Sequence, residues 1–262
     1  MKQWLKHSVR VTVRLIWLGG ELALGALNYT IRYAGLRRQS SPSARAAWLH
    51  NLTRRLLRVF QLEIQFAGDL PTGGLLVCNH LSYLDIVVLA ALVPCVFVAK
   101  SEVQRWPVFG WFARMAGTVF VERERRVRAA HAVSEIEAAL NAGALVVLFP
   151  EGTSSGGHTV LPFKSSLLEP AAQPSRTLTA GLLQYQLADG DASEEVCYWK
   201  DMTLLPHLLN LCGKRAVQAS VHFKPWREGH ADRKQLARQL HAEIVRMKQA
   251  LEAHERPCQM VA

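Results

Sequence analysis

The sequence predicts an α/β fold: a mixed, partly parallel sheet covered by helices, preceded by a pair of amphipathic N-terminal helices. Three observations carry this reading. From Leu62 onward, short β-rich runs alternate with helical stretches, the order that builds strand–helix–strand units. Runs such as Leu145–Phe149 are apolar throughout, without polar alternation, as expected of strands covered on both faces. Charge is also unevenly placed: residues 1–62 hold eleven Lys and Arg against the single acid Glu21, which accounts for the whole formal net charge of +10.

In the first segment, Lys2, Lys6, Arg10 and Arg14 recur every four residues, which sets them along one helix face. Beside them run bulky apolar residues, among them Trp4, Leu15, Trp17 and Leu18. After a turn at Ser40–Ser43, a second segment sets Trp48, Leu49, Leu52, Leu56, Leu57 and Phe60 against Arg45, Arg54, Arg55 and Arg58. A basic stripe beside an apolar one with tryptophans is what an interfacial helix needs. Residues 1–60 therefore read as a membrane-seated two-helix hairpin on an anionic membrane surface, and residues 61–262 as the α/β domain. The plainer alternative is a solvated basic face packed on the rest of the chain. Leu15–Ile31 is at the short limit of a spanning helix and is interrupted by Glu21 and glycines. No small-residue cleavage site follows a clean apolar core, which argues against a signal peptide. Nucleic acid is not an expected partner, because the charges share their helices with long apolar faces.

The expected strands are Leu62–Phe66, Gly74–Cys78, Val96–Ala99, Thr118–Val121, Leu145–Phe149, Leu178–Tyr185 and Val217–Phe223. The expected helices are Tyr83–Leu92, Val108–Ala116, Arg125–Ala142, Met202–Leu211 and Asp232–Ala253, with Asp189–Glu195 as a loop. Five cysteines without a Cys-x-x-Cys pair exclude a disulfide scaffold and a paired-thiol zinc site.

Three segments carry candidate chemistry. The first, Asn79-His80-Leu81-Ser82-Tyr83-Leu84-Asp85, directly follows a strand. Ser82 and Asp85 match the Ser-x-x-acid start of a helix, so Ser82 is the expected N-cap and Asp85 can reach back toward His80. A carboxylate that holds one ring nitrogen leaves the other to take a proton from a hydroxyl. The plainer reading is a capped helix beside a loop histidine. The second, Phe149-Pro150-Glu151-Gly152-Thr153-Ser154-Ser155, also follows a buried strand. Ligands in open α/β sheets gather at the carboxyl ends of strands, so both segments can line one crevice. Glu151 and Thr153 beside backbone amides suit polyol or phosphate oxygens, whereas a plain Pro-Gly turn would explain the segment without a ligand. In the third, Gly117–Arg123, Arg123 at a strand end offers a planar fork for phosphate. Arg125, Arg126 and Arg128 fit a solvated helix start better. The aromatic segments Trp106–Trp111 and Tyr198-Trp199 read as core aromatics or as walls of an acyl tunnel.

The blocks NHLSYLD at 79–85, GTVFVER at 117–123 and FPEGTSS at 149–155 resemble, in order and spacing, those of the glycerolipid acyltransferase family, which includes bacterial 1-acylglycerol-3-phosphate acyltransferases. With the connecting FVAKSEVQRWPVFGWFARMAG, the resemblance covers roughly residues 60–185. It implies that His80 is a general base oriented by Asp85. It further implies that Arg123 and Lys100 hold the acceptor's phosphate, and that Glu151, Gly152 and Thr153 help bind the acceptor. The implied reaction transfers a fatty acyl group from a thioester to the free hydroxyl of a lysophospholipid, a 1-acyl-sn-glycerol-3-phosphate O-acyltransferase of phospholipid biosynthesis. Acyl-CoA or acyl-carrier-protein is the implied co-substrate, without metal or further cofactor. The implied location is the cytoplasmic face of a membrane, the inner one in a bacterium.

Two departures bear on the acceptor. Ser154 stands where the family usually has an arginine after Glu-Gly-Thr, and Thr179-Ala180-Gly181-Leu182 lacks the proline usual in the fourth block. The tail, with VCYWKDMTLLPHLLNL and DRKQLA, resembles a branch that includes lyso-ornithine-lipid acyltransferases, which supplies the alternative reading. A rival from another class is a serine hydrolase: Gly152-Thr153-Ser154-Ser155-Gly156 fits the Gly-x-Ser-x-Gly elbow, with Asp201 and His207 or His222 following. An elbow needs a strand running straight into the serine and a helix straight after it, and Pro150-Glu151 and Gly156-Gly157 with Pro162 argue against both.

Overall fold

The structure, a computed structural model, describes residues 2–34, 41–122, 126–172, 176–227 and 232–255. Its strands are β1 (Leu62–Ala67), β2 (Gly74–Cys78), β3 (Cys95–Lys100), β4 (Val119–Val121), β5 (Leu145–Leu148), β6 (Leu178–Gln186) and β7 (Val217–Trp226). They form one seven-stranded sheet in the order β1-β7-β6-β2-β5-β3-β4. Every pairing is parallel except β6 with β7, so the mixed, partly parallel sheet expected from the sequence is the one found.

The helices are α1 (Lys2–Tyr29), α2 (Pro42–Phe60), α3 (Leu84–Leu92), α4 (Phe109–Met115), α5 (Arg126–Asn141), the single turn α6 (Ala192–Glu195), α7 (Leu204–Gly213) and α8 (Arg233–Glu255). Two apolar cores flank the sheet, as its apolar strands require. In β2 and β5, Leu76, Cys78, Leu145 and Val147 face one core with α2, α3 and α7, while Leu75, Val77, Val146 and Leu148 face the other with α5 and α8. The period of two assigns alternate residues to opposite faces. Four cysteines, 78, 95, 197 and 212, are buried and free; Cys258 lies outside the described residues.

The N-terminal helices belong to the first core. Helix α2 begins inside the expected turn, with Ser41 accepting from the Ala44 N–H and Pro42 at the first helical position, where its missing N–H costs nothing. Its Trp48, Leu49, Leu52, Leu56, Val59 and Phe60 are buried, the spacing of a single helix face. Helix α1 continues into a π-helical turn at Thr30–Ala34 and packs on α2 through Leu18, Leu22 and Ala26. At Gly25 the helices approach so closely that a Cβ would lie 3.0 Å from Leu52 Cδ1, and the Trp48 indole donates to the Gly25 carbonyl at 3.1 Å.

The basic stripe of α1 is not the uniform membrane-facing surface the sequence suggested. Arg10 donates to the Gly213 carbonyl at 2.7 Å, and Arg14, buried at 8% exposure, donates to the carbonyls of Cys212, Lys214 and Arg215. These carbonyls form the C-terminal end of α7, which carries unpaired acceptors and a partial negative charge. Arg10 and Arg14 therefore dock α1 onto the domain; the side chains of Lys2 and Lys6 lie outside the described ones. The exposed face of α1 is instead apolar: Val9, Val13, Ile16, Trp17, Leu24, Leu27 and Ile31.

Candidate active site

β2 and β5 are parallel neighbours with Val77 opposite Leu148, so the loops leaving their C-terminal ends emerge side by side. His80 lies just past β2 and Glu151 just past β5, bringing the two expected segments into one crevice. Asn79, 4% exposed, anchors the first loop: its amide donates to the Leu183 carbonyl at 2.9 Å and accepts from the Leu183 N–H at 2.7 Å. The side chain thus extends the β2–β6 ladder by one step.

His80 Nδ1 lies 2.7 Å from Asp85 Oδ2, and that oxygen also accepts from the N–H groups of Leu81 at 2.7 Å and Ser82 at 3.1 Å. Asp85 is fully buried. An acceptor-only carboxylate here requires Nδ1 to carry its proton, so Nε2 is left as the basic nitrogen. Nε2 has no hydrogen-bond partner among the described residues, and 24% of the His80 side chain is accessible. The imidazole stacks on Phe149, with ring centroids 4.4 Å apart. Ser82 does not cap α3 as expected. The Asp85 N–H donates to the Ser82 main-chain carbonyl, and Ser82 Oγ is buried without a partner. The reciprocal half of the capping box, from the Ser82 N–H to Asp85, does form.

Sequence reasoning missed the second carboxylate contact. Tyr185, on β6, donates its hydroxyl to Asp85 Oδ1 at 2.8 Å. Burial and the neighbouring carboxylate push the Tyr185 hydroxyl well above its ordinary value, which keeps it a donor. No local spacing signals a partner 100 residues away in sequence.

Glu151 is placed differently from the expectation that it faces an acceptor. It is 2% exposed, and its two oxygens accept from the N–H groups of His80 at 2.9 Å and Leu161 at 3.1 Å. Burial raises its carboxyl from the ordinary range to about 7, against the pull of those two bonds. The Ser155 N–H donates to the His80 carbonyl at 3.0 Å, so the 150–164 loop grips both sides of the His80 residue. Gly152 turns this loop at φ +70°, a conformation open to glycine at little cost, and Thr153 is exposed beside it. Lys100 is exposed at the C-terminal end of β3, in register with Val121 of β4. It has no partner among the described residues. Arg123 lies outside the described residues.

A segment between β6 and α7 closes over both loops. The Tyr198 N–H donates to the Leu81 carbonyl at 2.8 Å, and Ser154 Oγ donates to the Tyr198 carbonyl. At Gly156 a Cβ would fall 2.7 Å from the Trp199 ring. The hydrolase arrangement is not assembled. Ser154 bonds a carbonyl and no helix follows it. His207 receives the Tyr83 hydroxyl on Nδ1 at 2.9 Å and faces the Cys197 carbonyl through Nε2.

Next to the crevice, a cavity of about 160 Å³ is walled almost wholly by apolar side chains, among them Leu22 of α1, Leu52 and Leu56 of α2, and Phe97, Trp106 and Phe112. Phe97 stacks on Phe149 at 6.2 Å, and Phe149 on His80, so one aromatic column joins the cavity wall to the His80 imidazole. Of the two aromatic readings, Trp106 lines this cavity, whereas Trp111 is 50% exposed. The arrangement sets an apolar cavity two stacked rings away from an imidazole nitrogen that has no partner among the described residues.

The acyltransferase family model matches residues 61–180. A lyso-ornithine lipid O-acyltransferase of Brucella abortus is 41% identical over 209 residues, covering 72% of this chain and 78% of its own length. A second lyso-ornithine lipid O-acyltransferase, of Rhizobium meliloti, is 37% identical over 202 residues, covering 71% and 69%. A 1-acyl-sn-glycerol-3-phosphate acyltransferase of Neisseria meningitidis is 30% identical over 175 residues, covering 62% and 69%. The crystal structure of the 1-acyl-sn-glycerophosphate acyltransferase of Thermotoga maritima shares the fold, with a TM-score of 0.68 at 17% identity over 98% of this chain and 100% of that one. With two of the three family blocks at the ends of neighbouring parallel strands and relatives of this similarity along most of its length, the chain belongs to the acyltransferase family and is a lysolipid O-acyltransferase.

Proposed function

We propose that His80 is the general base of acyl transfer from a thioester, acyl-CoA or acyl-carrier-protein, to the free hydroxyl of a lysolipid. The observation that supports this most is the His80–Asp85 pair: Nδ1 is bound to a buried carboxylate, and Nε2 has no partner among the described residues, with the ring joined to an apolar cavity through Phe149 and Phe97. Nε2 takes the hydroxyl proton as the oxygen attacks the thioester carbonyl. The C–O bond forms, the C–S bond breaks, and the imidazolium returns its proton to the departing thiolate. Asp85 balances the imidazolium's charge, and Tyr185 and Glu151 hold Asp85 and the His80 backbone in place. The cavity takes the acyl chain.

Two observations bear on the acceptor. Ser154 stands where the family usually has an arginine and is tied to the Tyr198 carbonyl, so no guanidinium fork for a phosphate is present at that position, which favours a headgroup without phosphate. On this ground we assign lyso-ornithine lipid, the acceptor in the names of the Brucella and Rhizobium relatives. Lysophosphatidate is the second reading, favoured by exposed Lys100 at the same sheet edge and by Arg123 beyond β4. Purified enzyme assayed with both acceptors decides it. The assignment expects a higher kcat/KM for lyso-ornithine lipid and a shift toward lysophosphatidate in Ser154→Arg. A tenfold preference of the wild type for lysophosphatidate overturns it.

Among the described residues, no helix is long and apolar enough to cross a membrane. The exposed apolar face of α1 suits the headgroup layer of the leaflet facing the cytoplasm, where acyl thioesters are made. That seat places the cavity, walled by α1 and α2, next to its lipid substrate.

A further inference from the structure

A second hollow, of about 650 Å³, lies between the two N-terminal helices, lined by Asn28, Arg32, Asn51, Arg54, Arg55 and Arg58, with Ala91 of α3 at one edge. Four guanidinium groups share it. Glu21 is the one carboxylate bonded to any of them among the described residues, its Oε2 accepting from Arg55 Nε at 2.7 Å. The guanidinium groups of Arg32, Arg54 and Arg58 have no partner among the described residues. Arg54 and Arg58 are four residues apart and Arg55 and Arg58 three, spacings at which like charges on a helix repel, and an anion seated among them reverses the sign of that interaction. The planar guanidinium fork matches phosphate oxygens two at a time.

The surroundings select the source of the anion. Leu27 and Ile31, 56% and 69% exposed, each precede a lining residue, Asn28 and Arg32. The apolar strip of α1 and the hollow therefore share an edge. A lipid lays its chains along that strip and its phosphate among the arginines, whereas free phosphate would use the hollow alone. Ala91 is six residues beyond Asp85 on the same helix, about 9 Å along the axis at ~1.5 Å per residue, which separates the hollow from His80.

We propose that this hollow binds the phosphodiester headgroup of an anionic bilayer lipid, as a seat distinct from the substrate site. The inference rests on the membrane-seated reading of α1. The full chain in nonionic detergent would be titrated calorimetrically with dihexanoyl phosphatidylglycerol, dihexanoyl phosphatidylcholine and inorganic phosphate. The expected result is saturable one-to-one binding of phosphatidylglycerol, weaker binding of the other two, and at least a tenfold loss in the Arg54→Gln/Arg58→Gln variant. A charge-matched control, Lys234→Gln/Arg238→Gln, should bind like the wild type. Equal binding by the hollow's variant, or an equal loss in the control, overturns the proposal. So does inorganic phosphate binding as tightly as the lipid, or capture of apo-acyl-carrier-protein by these arginines in preference to it. Flotation of the wild type on neutral phosphatidylcholine vesicles tests the seating of α1 separately. Failure to float contradicts that seating, while the titration in detergent decides on the hollow.

Discussion

Replacing Asp85 with asparagine removes one negative charge and keeps the side chain's shape. The amide oxygen can still face the three donors that converge on Oδ2, and its NH₂ can face Tyr185, whose hydroxyl can turn to accept. The fold should therefore survive, and the loss should fall on the imidazolium that forms as His80 takes the proton. With Oδ2 2.7 Å from Nδ1, the charge centres lie about 4 Å apart, a pairing of about 4 kcal/mol at an effective dielectric near 20. At about 1.36 kcal/mol per decade, kcat should fall about 10³-fold, with little change in either KM. The assay is thiol release from an acyl thioester in the presence of lysolipid, with thermal unfolding run in parallel. A fall of less than tenfold in a well-folded Asp85→Asn protein would refute the proposed role of the carboxylate.

Tyr185→Phe strips a buried carboxylate oxygen of its donor; we expect a stability loss of about 1–3 kcal/mol, read by denaturant unfolding, and a kcat lower by about tenfold. Glu151 holds its proton in the folded state up to about 7, where the unfolded chain has already lost it. Its contribution to stability is therefore present in acid and lost as pH rises through about 7. Glu151→Gln should flatten that limb of the stability profile and, by setting an NH₂ against a backbone N–H, lower kcat at least tenfold; an unchanged profile would contradict this. Arg14→Ala leaves three carbonyls at the end of α7 without their donor and should cost about 1–3 kcal/mol of stability while leaving vesicle binding intact; lost binding without lost stability would return Arg14 to the membrane-facing stripe.

The central strands β2 and β5 were legible because a sheet covered on both faces forces short, continuous apolar runs, whereas β1 and β7, with polar residues between the apolar ones, were legible only as short β-rich runs. The His80–Asp85 contact was legible because it is local, closed within one turn at a helix start. What was not legible depends on contacts far apart in the chain. Tyr185 reads as one more residue of a strand until β6 pairs with β2 and carries it over Asp85. Arg10 and Arg14 have the spacing of a surface stripe, and only the end of α7, some 200 residues away, turns them inward. Glu151 follows its strand as expected, but its carboxylate turns inward to the His80 and Leu161 N–H groups, and which way it faces depends on which N–H groups the folded loops present to it.

The most direct measurement pairs the purified wild type with His80→Ala, each given a long-chain acyl thioester and, in turn, lyso-ornithine lipid and lysophosphatidate, with the acylated product quantified. Transfer by the wild type to at least one acceptor and none by a folded His80→Ala protein is the expected result. Transfer by His80→Ala at the wild-type rate, or none by the wild type to either acceptor, would contradict the account.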